Sequence, residues 1–174
     1  ARQVLATSDA ALLALTTLTP EQEAEGREDD AWRVEDEPEW SQRLLETLVQ
    51  PEDTRLPRLS IGLGVWVGKT SRYYPMNTLY AEKSAVIDEF EGRRLLVYIN
   101  PQNSTPSAFF TEARHVRWER EVLILDTGER VRDGVVLDKN NQVRRDIERP
   151  LQLFTRWYGF AVKFQGCDIY RPAF

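Results

Sequence analysis

The spacing of apolar residues changes about one third of the way along the chain. In the first part, apolar residues recur at helical intervals, and the segment 37–49 places a tryptophan and three leucines on one helical stripe. From residue 56 onward, short apolar runs alternate with polar residues and are separated by turn residues, which is typical of β-strands. The chain therefore divides into a helical extension over residues 1–55 and a β-rich domain over residues 56–174.

The β-rich domain is predicted to contain many short strands. Residues 59–67 alternate with a period near two, and residues 95–99 are continuously apolar, as in a central strand. A short helix is predicted over 76–81 and an extended segment over 85–87. Further strand-like runs lie at 108–111, 115–118, 122–125 and 131–137. The predicted fold class is α+β, predominantly antiparallel β and barrel-like or sandwich-like, with an N-terminal helical extension.

Two features of this domain invite a more specific interpretation. Gly62 and Gly64 interrupt the first strand, where the absence of a side chain permits a bend or the close approach of another backbone. The aromatic-rich run 151–164 is compatible with one short helix or with a bent strand.

The charge is distributed unevenly. The whole chain has 23 basic and 28 acidic residues and a net charge of −5. Residues 20–40 contain ten acidic and two basic residues, so this segment carries −8 and the remainder +3. The segment is interpreted as a solvated surface stretch or as an arm that docks on a basic protein partner. Basic residues elsewhere alternate with acidic ones, which weakens the attraction for a polyanion and argues against nucleic-acid binding.

Composition excludes several kinds of site. No apolar run approaches the roughly 18 residues of a membrane-spanning helix. The single cysteine, Cys167, excludes an internal disulfide and a thiolate metal cage, and the single histidine, His115, excludes a multi-histidine metal site. No metal and no cofactor are therefore predicted. The first residues contain no signal peptide, although one that had already been removed would leave no trace.

Three segments of the β-rich domain resemble a bacterial family of domains of unknown function. They are Ser71-Arg72-Tyr73-Tyr74-Pro75-Met76, the run from Val86 to Arg93, and Leu96-Val97-Tyr98-Ile99-Asn100-Pro101-Gln102-Asn103. Family members read A-R-A-Y-P-L, then V-N-D-x-x-G-G-x-P, then V-T-Y-C-P-L-C-G. The closing aromatic run, through Tyr170, is similar to family endings, so the resemblance covers about residues 58–170. It implies a fold and an extracytoplasmic, periplasmic location, but no mechanism.

The chain departs from that family at its cysteine pair. Asn100 and Asn103 stand where family members have Cys-x-x-Cys. Asparagine donates and accepts hydrogen bonds but supplies no thiolate, so thiol redox chemistry and metal binding are not expected here. A degenerate redox or metal protein that kept only the scaffold is a further interpretation, and it also predicts no bound metal.

Other candidate groups each have a structural alternative. His115 could act as a general base or could be a hydrogen-bonded structural residue. The carboxylates of Asp88, Glu89 and Glu91 could work in acid–base chemistry or could simply solvate the end of a hairpin. Cys167 is expected to be inert. The glycines around Lys69 lack the spacing of a phosphate loop, and the group Asp138, Asn140 and Asn141 lacks the glycine and the distal glutamate of a calcium loop, so both are rejected.

An aromatic–arginine group is the remaining candidate for ligand binding. The run Arg156-Trp157-Tyr158 could line a concave patch for a planar or sugar ligand, or it could form a core cluster covered by arginine. The other members of this group are Arg72, Tyr73, Tyr74 and Trp66. With the two asparagines, the candidate ligand-binding residues are Arg72, Tyr74, Asn100, Asn103, Arg156, Trp157 and Tyr158. The leading hypothesis is a non-catalytic binding or assembly module of the cell envelope, either a subunit of a larger complex or a ligand receptor, without catalytic residues. The alternative is an enzyme that uses this pocket with His115 or a carboxylate as base.

Overall fold

The computed structural model describes residues 52–172. The predicted N-terminal helices and the acidic stretch 20–40 lie outside the described residues. Residues 52–172 contain eleven strands, which form three sheets, and two helices. The strands are β1 Ile61–Val67, β2 Thr70–Pro75, β3 Ala85–Phe90, β4 Arg93–Ile99, β5 Pro106–Phe110, β6 Val116–Glu119, β7 Val122–Leu125, β8 Arg130–Arg132, β9 Val135–Leu137, β10 Leu151–Arg156 and β11 Asp168–Ile169, and the helices are α1 Met76–Ala81 and α2 Trp157–Lys163.

The three sheets are almost entirely antiparallel. Sheet A has the strand order β10-β1-β2-β11, sheet B the order β3-β4-β5, and sheet C the order β6-β7-β8-β9. Only β2 and β11 pair in parallel among the described strands. No sheet closes on itself within residues 52–172, so the barrel-like form of the prediction is wrong there, whereas the mostly antiparallel β architecture is confirmed.

Sheet B lies between the other two sheets, because its central strand is apolar on both faces. Alternate side chains of a strand point to opposite faces. Leu95, Val97 and Ile99 of β4 pack toward sheet A, while Leu96 and Tyr98 pack toward sheet C. This explains the continuous apolar run at 95–99, and the prediction of a central strand is confirmed.

Most of the β-hairpins have two-residue turns. Glu91 and Gly92 join β3 to β4 with φ values of 54° and 68°, and Asp133 and Gly134 join β8 to β9 with 48° and 73°. Positive φ at both central residues matches the twist of the flanking strands. The second turn divides the run 131–137, which the sequence analysis treated as one strand.

Helix α2 covers the outer face of sheet A because β1 has two glycines there. A Cβ atom on Gly62 would lie 2.5 Å from the carbonyl oxygen of Tyr74, and one on Gly64 would overlap the ring of Phe160 in α2. The predicted close approach of another backbone is therefore confirmed at Gly62. The run 151–164 forms both a strand and a helix, β10 followed by α2.

The edge of β5 that does not pair with β4 is covered by the segment that leads into β10 and by the first residues of β10. Pro106 has no N–H to donate, and the N–H of Phe110 donates to the carbonyl of Glu148 at 2.9 Å. Between them, the Gln152 side chain accepts from the Ala108 N–H at 2.8 Å and donates to its carbonyl at 3.3 Å. A side-chain amide thus takes the place of a neighbouring strand, and β5 presents few unpaired backbone groups.

Candidate functional site

Sheet A separates the candidate ligand-binding residues into groups on opposite faces. Arg72 and Tyr74 of β2 point toward the core shared with sheet B, whereas Tyr73 points to the other face and packs with Trp157 of α2. The described residues therefore do not bring Arg72 and Trp157 together in the single concave patch that the sequence analysis envisaged.

Arg72 and Tyr74 meet on one carboxylate, that of Asp88. Nη1 of Arg72 lies 2.6 Å from Oδ2 of Asp88, and the Tyr74 hydroxyl donates to the same oxygen at 2.7 Å. Nη2 of Arg72 also lies 3.3 Å from the Asp168 carboxylate. Tyr74 is fully buried, and Asp88 is only 16% exposed. The interpretation of Asp88 as part of a solvated hairpin end is therefore wrong.

The environment of this cluster fixes its charges. Burial raises the pKa of the Tyr74 hydroxyl, and the neighbouring Asp88 charge raises it further. Burial lowers the pKa of Arg72, but its hydrogen bond and charge interaction with Asp88 outweigh this and raise it. A neutral tyrosine and a permanent cation hold β2 against β3.

Trp157 belongs to an aromatic core cluster beneath α2. It is fully buried, and its ring lies 5.1 Å from that of Tyr73. Its indole N–H donates to the carbonyl of Asp53 at 2.7 Å, and the Arg55 guanidinium lies over the ring at 5.4 Å. This arrangement matches a core cluster covered by arginine, with Arg55 as the covering residue rather than Arg72 or Arg156.

The other candidate residues lie in separate places. Arg156 is exposed at the end of β10, and Tyr158 is half-buried with its backbone N–H bonded to the Arg58 carbonyl. Asn100 is buried at the end of β4, where its Oδ1 accepts from the Gln102 N–H. Asn103 is exposed and accepts from the backbone of Thr105. Both asparagines therefore shape the β4–β5 loop by hydrogen bonding to its backbone.

His115 lies directly before β6 of sheet C, next to Asp126. Its Nδ1 is 3.3 Å from Oδ2 of Asp126, and its side chain is 85% exposed. Desolvation works against the Asp126 charge, but backbone hydrogen bonds from Arg114 and His115 and the ring contact lower the pKa of this carboxyl. The carboxylate thus primarily organises the backbone at the end of a hairpin. Sheet B separates this pair from the Arg72 cluster, so His115 and the aromatic–arginine residues do not share a pocket.

A cavity of about 570 Å³ lies between β5, sheet C and the segment before β10. Its lining carries five carboxylates and three basic side chains. Arg93 binds both oxygens of Glu148, at 2.6 and 2.8 Å, and stacks 3.9 Å from the Phe110 ring. Arg144 pairs with Glu129 and Asp146. Since Arg93 and Arg144 are already paired with carboxylates, an anionic ligand would have to break these ion pairs in order to bind them.

Strand β10 forms an exposed apolar edge that the sequence analysis did not identify. Leu151 is 64% exposed, Leu153 49% and Phe154 46%, and β10 pairs only with β1 among the described strands. The alternation in 151–153 correctly indicates a strand. It could not reveal that this strand would lie at an edge, because that depends on pairing with β1, some ninety residues earlier.

Within residues 52–172, the backbone at this edge also has hydrogen-bonding groups without a strand partner. The Trp157 N–H donates to the Ser60 carbonyl at 2.7 Å, which fixes the alternation of the β1–β10 ladder. In that register, the N–H and C=O of Phe154 and the N–H of Arg156 point away from β1, while the Arg156 C=O accepts the first hydrogen bond of α2, whose N-cap it is. We call the surface formed by Leu151, Leu153, Phe154 and these backbone groups the β10 edge.

Comparisons with known proteins add no assignment, since the chain matches no family model, no curated protein and no solved structure. In residues 52–172, no group of three or more metal-binding side chains is arranged to hold an ion. Neither helix of this part is long and apolar enough to cross a membrane.

Proposed function

We propose that this protein is an assembly module that binds another protein by adding a strand to sheet A. The observation that carries the proposal is the β10 edge, where three large apolar side chains are about half exposed or more beside unpaired backbone donors and acceptors. Sheet edges of this kind accept an extended segment, whose backbone completes the ladder while its side chains pack on either face.

The arrangement of apolar side chains favours an extended segment as the occupant. Leu151 and Leu153 pair with Trp66 and Gly64 and so lie on the α2 face, whereas Phe154 pairs with Leu63 and lies on the opposite face. An added strand with apolar residues on both faces would cover all three apolar side chains of β10. The β5 edge nearby cannot serve in this way, because Gln152 and Glu148 already occupy it.

The cavity beside Arg93 and Arg144 supports the alternative of a small-ligand receptor less well. Its two arginines are already paired with carboxylates, and the Arg93 guanidinium lies 3.9 Å from the centre of the Phe110 ring, the aromatic ring that a ligand would contact. The β10 edge needs no existing interaction to break, so we favour a protein partner.

Site-specific photo-crosslinking in the native host tests the proposal. A photoreactive phenylalanine at position 154 of the full chain is expected to give discrete crosslinked products. The Leu153→Lys substitution in the same chain should abolish them, because it places a charge on the contact surface. The matched control carries the probe at Val143, which is 57% exposed on another part of the domain. Equal products from both positions, no product from position 154, or products unaffected by Leu153→Lys would refute strand addition at this edge.

A further inference from the structure

The segments that build most of sheet A contain no acidic residue. Residues 54–81 include β1, β2 and α1, and residues 149–167 include β10 and α2. Together they carry seven lysine and arginine residues and no aspartate or glutamate, in a chain with a net charge of −5. Arg55 and Arg58 pair with Asp53 and Glu52, which directly precede the first segment, and Arg72 pairs with Asp88 of β3.

Within residues 52–172, the other four cations have no carboxylate partner. In the described part of the chain, no ion pair involves Lys69, Arg149, Arg156 or Lys163. Arg149 donates to the Ser107 hydroxyl at 2.9 Å, which orients the guanidinium but leaves its charge uncompensated.

Three of these cations flank β10 at both ends. Arg156 is its last residue, and Arg149 lies two residues before it begins. Lys163, the last residue of α2, precedes Phe164, whose ring lies 4.8 Å from that of Trp66. Trp66 is the register partner of the first residue of β10, so Lys163 lies toward the same end as Arg149. The β10 edge is thus an apolar strand with positive charge at each end.

We infer that the segment bound at the β10 edge is an extended peptide with an apolar centre and carboxylates on both sides. The inference rests on the proposed function and names the chemistry of its partner. Carboxylates at the two ends would meet Arg156 at one end and Arg149 with Lys163 at the other, which fixes the register of the added strand.

The same charges disfavour a second copy of β10 as the occupant. In an antiparallel pair of β10 strands, Arg156 of each copy approaches Arg149 and Lys163 of the other. Like charges directly opposite across strands are destabilising. An acidic partner reverses the sign of these contacts, so charge selects a different protein over self-association.

Two synthetic peptides test this inference with the full-length chain. One has a centre of consecutive valine residues, so that both faces of the added strand are apolar, with a pair of aspartates at each end, and the other has lysines in place of the aspartates. Fluorescence anisotropy should give tighter binding of the aspartate peptide by about tenfold, because several exposed ion pairs each contribute roughly a factor of two. The difference should shrink as salt is added. Hydrogen exchange should show that this peptide protects the N–H groups of Phe154 and Arg156.

A charge reversal in the protein provides the matched test. Arg156→Glu should weaken binding of the aspartate peptide several-fold and strengthen binding of the lysine peptide. Arg114→Glu, the same change at an exposed position in the loop before β6, should change neither. Both variants keep the backbone N–H at every position of the ladder, so loss of strand pairing is not an explanation for the difference.

The failures of the two proposals are distinguishable. If both peptides protect the β10 amides equally and Arg156→Glu has no effect, strand addition stands and the acidic partner is refuted. If neither peptide protects these amides and position 154 gives no specific crosslink, both proposals are refuted. If dimers of the chain form through position 154, the occupant is a second copy, and the inference about charge is wrong.

Discussion

Three buried tyrosines allow the cost of removing a hydroxyl group to be compared within one protein. Tyr98, Tyr74 and Tyr73 are all at most 1% exposed. The Tyr98 hydroxyl has no hydrogen-bond partner within residues 52–172. The Tyr74 hydroxyl donates to a carboxylate, that of Asp88, at 2.7 Å. The Tyr73 hydroxyl lies 2.8 Å from two backbone carbonyls. Substitution by phenylalanine removes the same atom in each environment.

The three substitutions are expected to change the free energy of unfolding by different amounts and in different directions. Tyr74→Phe should lower it by about 2 kcal/mol, since hydrogen bonds to charged groups are the strong ones, and Tyr73→Phe should lower it by about 1 kcal/mol. Tyr98→Phe should raise it by about 1 kcal/mol, because folding removes the Tyr98 hydroxyl from water and gives it no hydrogen bond in exchange.

Urea unfolding followed by tryptophan fluorescence measures these differences as shifts of the midpoint at constant slope. A loss at Tyr98 as large as that at Tyr73 would mean that the Tyr98 hydroxyl has a partner, and the reasoning would be refuted. A changed slope would instead indicate an altered unfolded or native state. In that case the free energies of unfolding of the three variants would be compared by native-state hydrogen exchange.

The same series predicts behaviour in alkali. Burial raises the pKa of Tyr73 and Tyr74 in the folded state, whereas in the unfolded chain the pKa of a tyrosine is about 10. Above that pH the unfolded state loses protons that the native state keeps, so stability is fully present below pH of about 10 and falls as the pH rises further. Tyr74→Phe should make this alkaline decline shallower, which midpoints measured at several alkaline pH values will check.

Further predictions concern the ion pairs, the glycine contact and the thiol. Asp88→Ala should lower the free energy of unfolding by about 3 kcal/mol, because it leaves the mostly buried Arg72 poorly paired. Glu148→Gln removes one partner of the exposed Arg93–Glu148 pair and should lower the free energy of unfolding far less in the same urea assay. Gly64→Ala should destabilise through overlap with the Phe160 ring, and adding Phe160→Leu should recover part of the loss; an unrescued double variant would contradict this cause. Cys167 is buried, and burial raises its thiol pKa, so alkylation by iodoacetamide at pH 8 should require unfolding; fast labelling of the native protein would contradict this.

Local patterns predicted the elements that local residues determine. Alternation identifies β1, the short strand-like run 122–125 identifies β7, the continuous apolar run identifies β4, and the helix predicted at Met76–Ala81 is confirmed. The Asp133-Gly134 turn was missed although Asp-Gly between apolar runs is a strong hairpin signal, so that error was avoidable. The two-residue strand β11 has no comparable local signal, because a parallel partner, β2, defines it.

The candidate site was less predictable because it depends on pairing between distant segments. Within β2, alternation alone separates Tyr73 from Tyr74, but only the position of α2 decides that Trp157 joins Tyr73. Similarly, Asp88 is a hairpin residue by sequence, and it becomes a buried acceptor only because β2 brings Arg72 to it. The binding roles of the candidate residues, like the cell-envelope location, stay predictions.

The glutamine beside β5 links the solubility of this domain to its stability. Gln152 forms two hydrogen bonds with the backbone of Ala108, a fully buried residue, so its replacement by leucine would leave that N–H and C=O without their partner and lower the free energy of unfolding by about 1–3 kcal/mol. It would also uncover a second strand edge, next to the β10 edge, that can pair with another chain. Such a variant should unfold at a lower urea concentration while its light scattering rises with protein concentration, so one side chain serves both folding and protection against aggregation.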